Sequence, residues 1–138
     1  HADMLFRIFP VRHHQHLSAF GLSLSGVFLF TGDTRPIPEI IGTYACHGEI
    51  IFHDANTRPS PSHTCIHEIN RSYRPEQISR MVFYHYESLQ ACLMMVEMGF
   101  RVARSGEKFA LHQPMGGYRQ DENANIRNIT DPLQRLSG

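Results

Sequence analysis

The chain has 138 residues, which is enough for one domain and too few for two. Its 13 Lys and Arg residues equal its 13 Asp and Glu residues, so no net charge draws it to nucleic acid or to an anionic membrane. No apolar run approaches the ~18 residues that a membrane span needs. The three cysteines form no C-x-x-C pair, which excludes a zinc ribbon within the chain and a fully paired disulfide framework, and favours reduced thiols in the cytoplasm.

Apolar runs separated by turn residues predict that the first part of the chain is mostly strand. Two of these runs flank Ser25-Gly26, a pair that is typical of a hairpin turn. Thr34 and Pro36 favour the start of a short helix. In chain order we expect strands over residues 4–11, 20–24 and 27–30, a helix over 36–41 and a buried strand over 49–52.

Helices and strands alternate in the rest of the chain. The clearest helix runs from Ser88 to Met98, where apolar residues recur at helical spacing and stop at Gly99. From Gln113 onward the sequence is polar and predicts a loose tail. We expect a helix over 63–72, a helical turn over 75–80, a strand over 81–84, a helix over 88–98 and short strands over 100–103 and 108–111. This alternation predicts an α/β fold.

Metal-type ligands follow three of the predicted strands. Asp33 follows the first of these strands, His53 and Asp54 the second, and His85 the third. Chemistry in α/β folds collects at the carboxyl ends of strands, so we expect these side chains to converge. Each has a plainer explanation when taken alone: an Asx turn for Asp33, a hydrogen-bonded core histidine for His85, and a capped strand end for the His53-Asp54 pair.

Other histidines widen the choice of ligands. His13, His14 and His16 cluster after the first strand, where they form either part of a site or a solvated turn. His63 and His67 have the i, i+4 spacing of a helical zinc pair, but the H-E-x-x-H order is absent, which argues against an independent zinc site there. The His53-Asp54 pair fits a proton donor with its orienting carboxylate, or a clamp on a metal ligand.

Taken together, these strings resemble the metallo-β-lactamase superfamily, in its tRNase Z-like, phosphodiesterase branch. F-L-F-T-G-D-T-R-P (28–36), I-I-F-H-D-A (50–55), S-H-T (62–64) and M-V-F-Y-H-Y (81–86) follow one another in the order and rough spacing of that superfamily's C-terminal half. The resemblance covers roughly residues 5–111. It implies half of an αββα sandwich, with a mixed sheet and flanking helices, over residues 1–112, followed by a polar tail over 113–138.

The resemblance also implies roles for individual residues. Asp33 matches a metal-bridging aspartate, His85 the last metal-ligand histidine and His13, ahead of His14, an upstream ligand histidine. His53 matches a catalytic proton donor with Asp54 as its orienting carboxylate, where the family has glutamate. The metals implied are two Zn2+ ions, with Mn2+ or Fe as alternatives.

The family's main ligand string, H-x-H-x-D-H, is absent from this sequence. The resemblance therefore implies an incomplete site, completed by an N-terminal half or by a homo-oligomer. The function expected is metal-dependent hydrolysis of a phosphodiester in RNA or a nucleotide by a cytoplasmic protein. The alternatives are a non-catalytic module of the same fold, used for assembly or binding, and a hydrolase of a lactone, thioester or β-lactam.

Overall fold

A computed structural model of the chain describes residues 4–14 and 19–111. It shows a mixed α/β fold, which confirms the predicted class at that level. The strands are β1 (Phe6–Val11), β2 (Ala19–Leu24), β3 (Phe28–Phe30), β4 (Ile50–Asp54) and β5 (Met81–Tyr84); the helices are α1 (Pro38–Tyr44), α2 (Ile69–Ser72), α3 (Pro75–Ile78) and α4 (Leu89–Glu97), with a 3₁₀ turn at Ile66–Glu68 before α2. No helix in the described part is long and apolar enough to cross a membrane. The predicted tail over 113–138 lies outside the described residues.

The five strands form one mixed sheet in the order β1-β2-β3-β4-β5. β1, β2 and β3 are antiparallel neighbours, whereas β3, β4 and β5 run parallel. The predicted hairpin is confirmed between β2 and β3, where Gly26 adopts a φ of 72° and the amide of Val27 donates to Leu24 O at 3.0 Å. Because β3, β4 and β5 are parallel, their carboxyl ends meet at one edge of the sheet.

One face of the sheet packs on the helices and forms the core. Phe9, Leu29, Ile51 and Phe83 point to this side and are completely buried. Gly21 of β2 makes room there for the ring of Phe9, since a Cβ at this position would overlap that ring and lie 2.9 Å from the carbonyl oxygen of Phe30. The core therefore depends on a close approach between β1 and β2.

The opposite face of the sheet is apolar and largely open in the described part of the chain. Ile8 is 69% exposed, Phe20 57% and Phe30 40%. The cross-strand pairs Ile8–Leu22 and Leu22–Phe30 place their side chains together, because directly opposed residues share a face. Toward β4 and β5 this face is covered: the ring of Phe109 packs edge-on against Phe52 at 5.1 Å, and Val82 is completely buried. We call this surface the open face.

Two predicted elements differ from the structure. The helix expected over 63–72 begins only at Ile66, because residues before it are held extended by a bridge between Asn56 and Cys65. The amide of Asn56 donates to Thr64 O at 3.0 Å in that bridge. The strand expected over 100–103 is a single bridge between Phe83 and Val102, and that over 108–111 has no strand pairing.

Candidate metal centre

The carboxylate of Asp54 lies at the centre of a histidine and aspartate cluster. It ends β4 and its side chain is fully buried. Its Oδ2 accepts hydrogen bonds from the Thr34 amide and from His63 Nδ1, both at 2.8 Å. Its Oδ1 is buried, has no hydrogen-bond partner among the described residues and lies 3.6 Å from His85 Nδ1. Burial raises the pKa of Asp54, and the bonds from Thr34 and His63 oppose this.

Polar groups directly after β3 and on β5 fix the backbone around Asp54 and Gly32. The Asp54 amide donates to Thr31 Oγ1 at 3.2 Å. The Tyr84 hydroxyl donates to the carbonyl oxygen of Gly32 at 2.7 Å, and burial raises the pKa of Tyr84, which keeps it a donor. Asp33 directly follows Gly32, whose carbonyl oxygen is held by this hydrogen bond. The loop after β3 and the end of β4 are therefore positioned together.

Two imidazoles stack over Asp54. The rings of His63 and His85 are 4.5 Å apart and nearly parallel, at 17°. Both direct Nδ1 to the Asp54 carboxylate, while Nε2 of His85 lies 3.7 Å from Asp33 Oδ2. A histidine that donates one ring N–H to a carboxylate presents the lone pair of its other nitrogen, which is the usual arrangement of a metal ligand. His85 adopts a φ of 72°, a left-handed conformation uncommon outside glycine.

The described residues contain two triads whose ligand atoms lie within 4.8 Å of one another. One triad is Asp54, His63 and His85, and the other is His13, Asp33 and His63. His13 is held by a contact of 3.1 Å between its Nδ1 and Ser62 O. The predicted convergence is confirmed for Asp33 and His85, since Asp33 Oδ2 lies 3.7 Å from His85 Nε2, but the side chain of His53 belongs to neither triad.

His53 lies behind this cluster and outside both triads. It is completely buried, with Nδ1 2.7 Å from the Asp54 carbonyl oxygen and Nε2 2.6 Å from the Tyr73 hydroxyl. Burial lowers the pKa of His53 to about 4. It faces the core, whereas the predicted role of proton donor requires access to a ligand. That role, like the ligand roles of His13, Asp33 and His85, stays a prediction.

The predicted metal-ligand set of His13, Asp33 and His85 lacks His63. His63 belongs to both triads, but the i, i+4 spacing with His67 suggested a helical pair, and His67 is exposed and belongs to neither triad. The signal that identifies His63 is the S-H-T string in an extended segment. His14 contacts His13 ring to ring at 3.9 Å, and His16 lies outside the described residues.

The donor set fits a divalent transition metal. Imidazole nitrogens with carboxylate oxygens suit Zn2+, Mn2+ and Fe2+. The unpartnered Oδ1 of Asp54 supplies a direct observation in favour, because a buried carboxylate oxygen without a donor is unfavourable and a cation would satisfy it. His63 and Asp54 together have the carboxylate–histidine geometry that orients a ligand.

Comparison with protein-family models gives a match over residues 1–107 to the family described as Anti-Pycsar protein Apyc1. A search of the curated proteins finds no match.

The family finding corrects the sequence analysis: the matching family is not a metallo-β-lactamase family, so the tRNase Z-like assignment is wrong. The predicted function, metal-dependent hydrolysis of a phosphodiester, and its alternatives depend on the same resemblance, so they are wrong as well. Short ligand strings after parallel strands describe where ligands lie and do not by themselves distinguish families. Since the match covers well over half of the sequence, the chain belongs to the Anti-Pycsar protein Apyc1 family.

Proposed function

We propose that this chain is a metal-dependent binding protein, whose cluster around Asp54 holds a divalent cation and, through it, a nucleotide-type anion. The anti-Pycsar role that names its family would be carried out at this centre. The observation that carries the proposal is the buried, unpartnered Oδ1 of Asp54 between two histidines that face the same carboxylate.

Electrostatics supports a cation at this position. A buried carboxylate oxygen left without a donor costs about 1–3 kcal/mol. Burial raises the pKa of Asp54 because it disfavours the ionised carboxylate. A bound cation acts in the opposite direction and favours the ionised form.

The triads limit how many ions the described residues hold. Nδ1 of His63 is engaged by Asp54, so only Nε2 remains as a metal ligand. The two triads share His63, and one nitrogen binds one metal. We therefore propose one ion from the described residues, with a second requiring ligands from another part of the protein.

The position of the cluster leaves room for a ligand. The side chains of Asp33 and His85 are about two-fifths exposed, at 41% and 42%. An ion held by Asp54, His63 and His85, beside these exposed side chains, keeps coordination positions toward solvent, which phosphate oxygens commonly occupy at protein-bound divalent cations. Arg35, an exposed residue two positions after Asp33, supplies a positive charge in the same loop after β3.

Calorimetric titration tests the proposal. We expect the chain to bind one equivalent of Zn2+ or Mn2+, and to bind a nucleoside monophosphate such as AMP only in the metal-loaded form. Asp54→Asn and His85→Asn should abolish binding of this ion, because each removes a member of the triad of Asp54, His63 and His85 that is proposed to hold it. His67→Asn, an exposed histidine outside both triads, is the matched control and should bind as the wild type does. Metal-independent AMP binding, or equal metal binding by His85→Asn and His67→Asn, would contradict the proposal.

A further inference from the structure

We infer that His53 and Tyr73 form a positioning pair, which fixes the backbone of Asp54 and through it the carboxylate of the metal centre. The inference deepens the proposed function and rests on it. His53 contacts none of the ligand atoms, so it acts through Asp54 and is a positioning residue.

A chain of three hydrogen bonds carries the argument. The Ile37 amide donates to the Tyr73 hydroxyl oxygen at 2.8 Å. That hydroxyl lies 2.6 Å from His53 Nε2, and His53 Nδ1 lies 2.7 Å from the Asp54 carbonyl oxygen. His53 is completely buried and Tyr73 is 5% exposed, so water does not compete for these bonds.

The two ends of this chain determine where each proton lies. A backbone N–H only donates and a carbonyl oxygen only accepts. The Asp54 carbonyl oxygen only accepts, so the proton of the neutral His53 ring lies on Nδ1 and Nε2 accepts from the Tyr73 hydroxyl. By donating to Nε2, Tyr73 stabilises the one tautomer of His53 that donates to Asp54.

The pair also joins the segments that supply the ligands. Ile37 follows the loop that carries Asp33, and Tyr73 directly follows α2, at the end of the segment that begins with His63. His53 and Asp54 end β4. A single buried network thus connects three ligand-bearing segments, whereas an ordinary core histidine needs only local partners.

Asparagine and glutamine separate the two functions of the His53 ring. In His53→Asn the amide nitrogen takes the position of Nδ1 and keeps the hydrogen bond to the Asp54 carbonyl oxygen, but the hydrogen bond to the Tyr73 hydroxyl is lost. The longer His53→Gln reaches toward Tyr73 and loses the donor to Asp54. Since asparagine has no tautomers, the double variant His53→Asn with Tyr73→Phe should behave as His53→Asn alone.

Cobalt titration of the full chain measures the outcome. We expect His53→Gln and Tyr73→Phe to bind Co2+ about tenfold more weakly, with altered visible absorption, the range found when partners of metal ligands are removed. His53→Asn should stay close to the wild type. Met95→Ala, a buried core change on α4, is the control for destabilisation alone and should keep the wild-type affinity and spectrum.

Each result decides the inference. Wild-type affinity and spectrum in His53→Gln and Tyr73→Phe, or equal weakening in all variants including Met95→Ala, would overturn it. A wild-type chain that binds no Co2+ would defeat the proposed function instead. In that case the ring-nitrogen chemical shifts of His63, which report its bond to Asp54, decide the inference. They should change in His53→Gln and Tyr73→Phe and not in His53→Asn, and unchanged shifts in all three would overturn the positioning role.

Discussion

The backbone of His85 is held in a left-handed conformation that residues other than glycine rarely adopt. The φ of 72° costs a non-glycine residue roughly 1–2 kcal/mol. Such strain clusters at functional sites, where the surrounding structure imposes it. At this position it brings Nδ1 to 3.6 Å from the unpartnered oxygen of Asp54. The geometry of the site is thus obtained against the local preference of the chain.

Replacing His85 should separate stability from metal binding. Asparagine tolerates the left-handed region, so His85→Asn should raise the free energy of unfolding by about 0.5–1 kcal/mol in EDTA, relative to His85→Ala. Both variants should lose metal binding. Urea denaturation measures the stabilities, and a His85→Asn chain less stable than His85→Ala would contradict the strain at this residue.

The burial of His53 predicts a loss of stability in acid. The pKa of His53 falls from 6.5 to about 4 on folding. Between these values the unfolded chain binds a proton that the folded chain does not. The free energy of unfolding therefore falls as the pH drops from about 6.5 to about 4, by a total of about 3 kcal/mol. The raised pKa of Asp54 acts in the opposite direction, because its contribution is present at low pH and is lost as the pH rises.

Urea denaturation in EDTA at pH 7 and pH 4.5 isolates this effect. The wild type should lose more stability between the two pH values than His53→Asn does. His67→Asn, which removes an exposed histidine, should retain the wild-type difference. Equal losses in wild type and His53→Asn would show that His53 does not titrate in this window.

At the scale of elements, the buried carboxylate of Glu49 fastens the β2–β3 hairpin to the start of β4. Its Oε1 accepts from the Gly26 amide at 2.7 Å and its Oε2 from the His47 amide at 2.8 Å. Arg80 donates to the Glu49 carbonyl oxygen at 3.0 Å and so ties in the residue before β5. The side chain is completely buried, so these bonds are not replaced by water.

Changing Glu49 to glutamine should loosen this junction. One side-chain oxygen becomes an NH2 group that faces a backbone N–H, so Glu49→Gln is expected to lower the free energy of unfolding by about 1–3 kcal/mol. Glu76→Gln, on the exposed face of α3, should change it by less than about 0.5 kcal/mol. Chemical denaturation distinguishes the two, and similar stabilities would mean that Glu49 is not a fastening residue.

Strands were more predictable from the sequence than the elements around the site. Runs such as V-F-L-F and M-V-F-Y are too apolar to be exposed on either side, and they appear as β3 and β5. The predicted helix includes the segment from His63 to Cys65, which is extended in the structure, because its extended form depends on pairing with Asn56, seven to nine residues earlier in the chain. The bond between His63 and Asp54 has the same non-local origin, so periodicity alone does not reveal it.

At the scale of the whole molecule, the open face raises the question of what covers it. Ile8, Phe20 and Phe30 lie on neighbouring strands of this face and are all exposed in the described part of the chain. Contiguous apolar patches of several hundred Å2 are uncommon on soluble monomers. The expectation of a second layer, supplied by another segment or a second copy, stays a prediction.

We expect the isolated chain to self-associate through the open face. Light scattering after size-exclusion chromatography should give a mass that rises with concentration. Ile8→Lys and Phe20→Lys should shift the wild type toward the monomer, because each places a charge on this face. Gln90→Lys, on the exposed side of α4, should leave the mass unchanged. A wild type that is monomeric at high concentration would contradict the prediction.

The space that Gly21 leaves for Phe9 has a consequence for how this sequence can change over time. Alanine at position 21 would collide with the Phe9 ring and so disturb the packing of the sheet, although neither residue is a candidate metal ligand. A smaller side chain such as leucine at position 9 should act as a second-site suppressor and restore part of the lost stability. In a library of random variants, folded proteins with a substitution at position 21 should therefore also carry a substitution at position 9, so the two positions should covary.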